Sequence, residues 1–332
     1  MGKRPVTIVS GQWADLPFEE FCRKMAAIGY DGIEVASWGD HLDVSRAASD
    51  PAYAKGRLDI LARNKLGCWA ISAHLAGQCV TSLYDSRYDG FMPAAMKGGG
   101  TEAMQKWAAG EVILAAKAAK AMGVKIVTGF TGSPIWNYWY SFPQTSQKQV
   151  DDAFREVVDK WTPILDAFDE CGVKFALEVH PTEIAFDLYS TEKLLDAFKR
   201  RETFGLNFDP SHLLWQGVDP ALFVREFGDR IYHVHMKDAM VALDGRAGIL
   251  GGHIEFGDTR RGWNFCSLGR GQVNFDAIIR ELNAANYNGP LSVEWEDSGM
   301  DREFGAREAC EFVRRVDFPP SAIAFDGSIR QA

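Results

Sequence analysis

Short apolar runs of strand length recur along the chain, and between them apolar residues fall three and four positions apart. The first run is Val6-Thr7-Ile8-Val9-Ser10, rich in β-branched residues and closed by Gly11. After Pro17, the residues Phe18, Phe21, Cys22, Met25 and Ile28 keep helical spacing until Gly29. The alternation then repeats: further strands are predicted at 32–36, 69–74, 125–130, 174–178, 205–209, 231–235 and 290–294. Helices are predicted over about 52–65, 102–122 and 149–170, from Ser190-Thr191-Glu192 onward, and over about 219–227, 276–285 and 305–316. The start at Ser190 rests on N-cap chemistry, and Asp219-Pro220 sets a capping carboxylate before a proline at the first helical position.

Strands alternate with helices from one end to the other, with no linker between halves. The expectation is α/β: residues 1–332 as one domain, a single closed (β/α)8 TIM barrel. The turns from helix to strand are short, as at residues 27–32, whereas long loops follow strands three, four and seven. Such loops build active sites at the C-terminal mouth of a barrel. A doubly wound open sheet would carry G-x-G-x-x-G after the first strand, and Ser10-Gly11-Gln12-Trp13-Ala14 does not supply it.

Four strand ends carry the chemistry. Leu177-Glu178-Val179-His180, Asn207-Phe208-Asp209-Pro210-Ser211-His212, His233-Val234-His235-Met236-Lys237-Asp238 and Ser292-Val293-Glu294-Trp295-Glu296 each close an apolar run with metal-binding or proton-moving groups. In a parallel barrel these ends meet at one mouth. All seven histidines are expected at or past strand ends, or in loops on that rim, and none in a predicted helix. His233 and His235 share a face by the period of two, as do Glu294 and Glu296, which leaves open which member points inward. Carboxylates from separate strands with one imidazole suit one divalent ion, Mn2+ first, with Mg2+, Co2+ or Zn2+ also compatible. The tryptophans Trp13, Trp136, Trp139, Trp215 and Trp263 fall on mouth loops, where they could wall a sugar or aglycone. Arg246, Arg260, Arg261 and Arg270 read as solvated charge, with phosphate binding as the sharper alternative.

Bulk properties narrow the classes. A net charge of −9 argues against a nucleic-acid partner. Six scattered cysteines without a CxxC pair exclude an all-thiolate zinc site and fit a reduced, cytoplasmic setting. No apolar run approaches the ~20 residues of a membrane span, and the N-terminus lacks the apolar region of a signal peptide.

Glu178, Asp209-Pro-Ser-His212, His235 with Lys237-Asp238, and Glu294 together resemble the pattern of the xylose isomerase-like sugar phosphate isomerase/epimerase superfamily. That group includes D-tagatose/D-psicose 3-epimerases and inosose dehydratases. The resemblance implies Glu178, Asp209, His235 and Glu294 as metal ligands, with His212 contacting substrate; Lys237, His74, Trp13 and Trp136, expected at the same mouth, are further candidate substrate contacts. The histidine two positions after the first ligand, in Glu178-Val-His180, looks more like the larger subunit of bacterial C-glycoside deglycosidases.

The implied activity is proton abstraction beside the carbonyl of a keto-sugar or 3-oxo-glycoside, through an enediolate held by the ion. Glu178, His180 and Glu294 are the candidate acid/base groups, and the outcome is epimerisation, isomerisation or β-elimination. The expected partner is a small-molecule sugar or glycoside, with a homo-oligomer or a small second subunit completing the assembly. An apurinic endonuclease would share the barrel and D-x-x-H. It would also need a D-x-H pair after strand seven and a histidine after strand four, and Asp258-Thr-Arg260 and Thr131-Gly132-Ser133 offer neither. A non-catalytic sugar-binding barrel would have no need of four ligands.

Overall fold

Side chains alternate between the faces of a strand, and here the two faces differ in character. In residues 32–36, Glu34 opposes Ile33 and Val35, and in 231–236, His233 and His235 oppose Val234 and Met236. The computed structural model, which describes residues 3–251 and 253–322, buries both sets. Its strands are β1 (Val6–Val9), β2 (Gly32–Ala36), β3 (Ala70–Ser72), β4 (Ile126–Gly129), β5 (Lys174–Glu178), β6 (Phe204–Phe208), β7 (Ile231–Met236), β8 (Asp238–Val241), β9 (Trp263–Cys266) and β10 (Leu291–Val293). Strands β1–β7 and β10 pair in parallel and close in the order β1-β10-β7-β6-β5-β4-β3-β2, the expected (β/α)8 barrel.

The outward faces are apolar and pack on the helices. Phe175 lies 4.5 Å from Trp161 between ring centroids, and Phe208 stacks on Phe223 at 5.9 Å. The helix Gln147–Cys171 supplies Phe154, Val157, Trp161, Ile164, Leu165 and Phe168 at helical spacing. A capping box between Ser146 and Gln149 starts it, and Gly172 ends it at φ 64°, where a side chain would be strained. Inside the barrel, Glu34, Thr128, Asn207, His233, His235 and Ser292 form a polar layer toward the mouth. Barrel interiors are ordinarily filled with branched apolar side chains, so every member of this layer needs a hydrogen-bond partner.

Three local expectations are corrected. The helix Leu188–Ala197 starts before Ser190, because the Asp187 carboxylate caps it by accepting from Ser190 N at 2.8 Å. Histidines do enter helices: His74 opens His74–Gln78 and His212 lies in Pro210–Leu214, single turns too short to show a period. The excursion after β7 holds order of its own, since β8 and β9 pair antiparallel. Asp238 anchors that hairpin by accepting from the backbone of Ala239, Gly269, Gly271 and Val273 at 2.9–3.1 Å. Trp215 stacks flat on Trp263 at 4.2 Å beside it. Among the described residues, no helix is long and apolar enough to cross a membrane.

Candidate metal centre

Each strand end delivers one group to the mouth. Glu178 is the last residue of β5, Asp209 follows β6 as N-cap of the next turn, His235 lies on β7, and Glu294 follows β10. One ligand atom from each of the four lies within 4.8 Å of the others. His235 Nδ1 is 2.9 Å from Glu178 Oε2 and 3.0 Å from Glu294 Oε2. This group contains His235 and Glu294; His233 joins Glu34 and His235 in a second group of possible ligands on the inner side of the ring. Glu296 instead reaches Lys237 Nζ at 3.2 Å.

Surrounding groups hold the ligands in place. Asp209 Oδ1 accepts from Ser211 N and Oγ, both at 2.7 Å. Glu178 Oε2 accepts from Asn207 Nδ2 at 2.9 Å and lies 3.1 Å from His74 Nε2, while Ser72 Oγ orients His74 at 2.6 Å. Gln12 Nε2 donates to Glu294 Oε1 at 2.9 Å. His212 Nε2 lies 3.2 Å from Glu178 Oε1 and 3.4 Å from Asp209 Oδ2. His180 stands edge-on to His212 at 4.0 Å between ring centroids. Lys237, buried, lies between Glu294 and Glu296 and over the Phe265 ring.

Two oxygens stand out. Asp209 Oδ2 and Glu294 Oε2 are buried and accept no hydrogen bond among the described residues. Nitrogens of His212, for Asp209, and of His235 and Lys237, for Glu294, lie 3.4, 3.0 and 3.4 Å away, but without the alignment of a donor. Buried carboxylate oxygens without a hydrogen-bond donor are costly, and three carboxylates with one imidazole are the donor set for a hard or borderline divalent cation. The residues present fit such an ion.

The electrostatics agree. Burial pushes Glu178 up, but His235, His212 and His74 outweigh it and hold this carboxyl well below its usual range. Burial, with Glu178 and Glu294 nearby, raises Asp209. Burial also opposes ionisation of Glu294, yet Lys237 foremost brings it down to about 2. His235 is raised well above the ordinary imidazole value: burial works against its charge, and Glu34, Glu178 and Glu294 overcome it. A proton on His235 offsets part of this negative charge, and a divalent ion held by these residues would take its place. His180 is driven well below the ordinary value, by burial first and then by His212, and is neutral.

Some expected positions do not join the cluster. Trp13 is fully buried, packs on Phe21 at 5.7 Å and lies under Arg302, so it is a packing residue and no substrate wall. Trp136 is half-buried in an aromatic group with Trp139 and Phe186, and Gln216 links the Phe186 carbonyl to that of His212. Of the seven histidines, His41 is tied to Ser10 and Leu16, His253 is exposed, and His233 lies inside the barrel. Arg260 pairs with Asp258, Arg270 pairs with Glu308, and Arg261 covers Phe256 and Trp263. The sequence reading missed Glu34, Asn207 and Gln12. The signal for Glu34 was present: a carboxylate between Ile33 and Val35 in a buried strand, the same pattern that drew attention to Glu178.

The fold and this cluster define a (β/α)8 barrel with a candidate divalent-cation site at the C-terminal mouth. Residues 22–316 match the family described as Xylose isomerase-like TIM barrel, and the chain belongs to it. It is 30% identical over 214 residues to the uncharacterized protein YfiH of Bacillus subtilis, covering 59% of this chain and 67% of that one. It is 26% identical over 184 residues to inosose dehydratase of Geobacillus kaustophilus, covering 52% and 56%. The chain thus spans little more than half of that dehydratase. Among solved structures, it resembles the probable 3-DHS dehydratase AsbF of Bacillus anthracis, with TM-score 0.66, 18% identity and coverage of 93% and 98%. It also resembles the 3-keto-D-glucoside 4-epimerase YcjR of E. coli, with TM-score 0.66, 15% identity and coverage of 94% and 100%.

Proposed function

We propose that this chain is a divalent-metal-dependent enzyme that removes a proton next to the carbonyl of a keto-sugar or 3-oxo-glycoside. The carrying observation is the convergence of Glu178, Asp209, His235 and Glu294 within 4.8 Å, with two buried oxygens left without a donor. A bound divalent ion, Mn2+ first, supplies Lewis-acid stabilisation of the negative charge that develops on the carbonyl side. Glu178, His180 and Glu294 are the candidate groups to take and return the proton, and of these His180 is neutral. His74 and Asn207 orient Glu178, and Lys237 keeps a positive charge beside the oxygens. Return of the proton to the other face gives an epimer or isomer, and loss of a β-substituent gives a dehydratase or lyase. The names of the relatives span both outcomes.

A second reading is elimination of the aglycone from a 3-oxo-C-glycoside. The observation favouring it is His180, a second acid/base beside His212 able to protonate a departing group. Both readings are tested by incubating the Mn2+-loaded protein with keto-hexoses and 3-oxo-glycosides in D2O. Deuterium should enter the carbon next to the carbonyl; epimer or free aglycone then tells the outcomes apart. No exchange with any of these substrates would overturn the proposal.

A further inference from the structure

We propose that Glu34 is the positioning residue of the metal centre: by accepting the Nε2 hydrogen of His235 from inside the barrel, it assigns the Nδ1 lone pair to the divalent ion. This rests on the four-ligand reading above and adds a residue that touches neither ion nor substrate. Glu34 is completely buried, and its two oxygens meet four donors from three other strands. Thr128 Oγ1 donates at 2.6 Å, Ser292 Oγ at 2.8 Å, His233 Nε2 at 2.7 Å and His235 Nε2 at 3.0 Å. A carboxylate has about four acceptor positions, so this one is saturated, and only if both rings carry their hydrogen on Nε2.

The ring of His235 is therefore read from both sides. Its Nε2 faces Glu34, and its Nδ1 faces Glu178 Oε2 and Glu294 Oε2 at 2.9 and 3.0 Å. Asn207 Nδ2 lies 3.2 and 3.3 Å from the two ring nitrogens, nearly equidistant, which puts it over the ring face and leaves the in-plane approach to Nδ1 open. A neutral imidazole carries one hydrogen, so a hydrogen on Nε2 makes Nδ1 the ligand atom. A carboxylate behind a ligating histidine fixes the ring and strengthens its donor atom. Glutamine replaces it only in part: with its carbonyl at the Oε2 position it can still accept from both rings, and its NH2 can donate to the Thr128 hydroxyl, but the negative charge that strengthens Nδ1 as a donor is lost.

The test is Mn2+ affinity, read from the free-ion electron paramagnetic resonance signal, for the wild type, Glu34→Gln and Ser292→Ala. Ser292→Ala also removes a partner of Glu34 but leaves the His235 contact. Glu34→Gln should weaken Mn2+ binding about 10–100-fold, and Ser292→Ala should stay near wild type. Equal affinity for wild type and Glu34→Gln, or an equal loss in Ser292→Ala, would overturn the role of Glu34 alone. No binding by the wild type would overturn the four-ligand reading as well. Should Glu34→Gln not fold, 15N spectra of histidine-labelled wild type loaded with Zn2+ decide: ligation at His235 Nδ1 with a hydrogen on Nε2 is expected. Ligation at Nε2 would contradict it.

Discussion

Glu34 and Glu178 are both buried carboxylates on barrel strands, and both approach His235, yet from opposite edges of its ring. Around Glu34, in the interior layer, every acceptor position is filled by Thr128, Ser292, His233 and His235. Around Glu178, at the rim, the neighbouring Asp209 and Glu294 each leave one buried oxygen with no donor among the described residues. The difference separates two uses of buried charge. A saturated carboxylate fixes its neighbours, whereas a group of unsaturated ones marks a place where a cation is to be received.

The largest effect should follow from damage at the rim. Glu178→Gln keeps the size and the contact to Asn207 but removes a ligand charge, and deuterium exchange should fall by about 10²–10⁴-fold with the circular dichroism spectrum unchanged. A mutant exchanging at the wild-type rate would erase the distinction between rim and interior.

Glu183 sharpens the same comparison away from the centre. Its Oε2 accepts from Thr131 N at 2.7 Å and Gly132 N at 2.6 Å, and burial nonetheless raises its carboxyl to about 7. A carboxyl raised on folding contributes stability that is complete at low pH and is lost as pH climbs from its ordinary value to about 7. Over that window the loss should reach about 3 kcal/mol, and Glu183→Gln, which cannot ionise, should flatten the curve from urea unfolding. An unchanged slope in the mutant would show that Glu183 is ionised throughout.

Removing the ion should cost the rim its cation and leave the interior layer intact. At an ion concentration of about 100 times the dissociation constant, chelation should lower unfolding free energy by about 2.7 kcal/mol. Asp209→Asn should be insensitive to the chelator, and a chelator effect of equal size in that variant would place the ion elsewhere. The smallest effect belongs to Trp13→Phe. Its Nε1 has no partner among the described residues, so the change should cost only about 1–2 kcal/mol and leave KM unmoved; a raised KM would return Trp13 to the substrate wall.

Most of the fold was legible because the strands and helices alternate in period, and each strand end closes on residues whose chemistry differs sharply from the run before it. The same contrast exposed Glu178, Asp209, His235 and Glu294. What stayed hidden was of two kinds. Single turns such as His74–Gln78 and Pro210–Leu214 are too short to carry a period, and their shapes come from tertiary contacts. Inward-facing groups such as Glu34 and Asn207 belong to strands whose outward apolar face dominates the pattern, and only barrel closure brings β2 opposite β7. Trp13 misled because a loop position next to the mouth was taken for exposure, whereas Phe21 and Arg302 enclose it.

The most direct measurement is anomalous diffraction from crystals soaked in Mn2+. A single peak within coordination distance of His235 Nδ1 and of carboxylate oxygens from Glu178, Asp209 and Glu294 is the predicted result. A peak on the far side of the ring, between Glu34 and His233, or no peak at all, would contradict it.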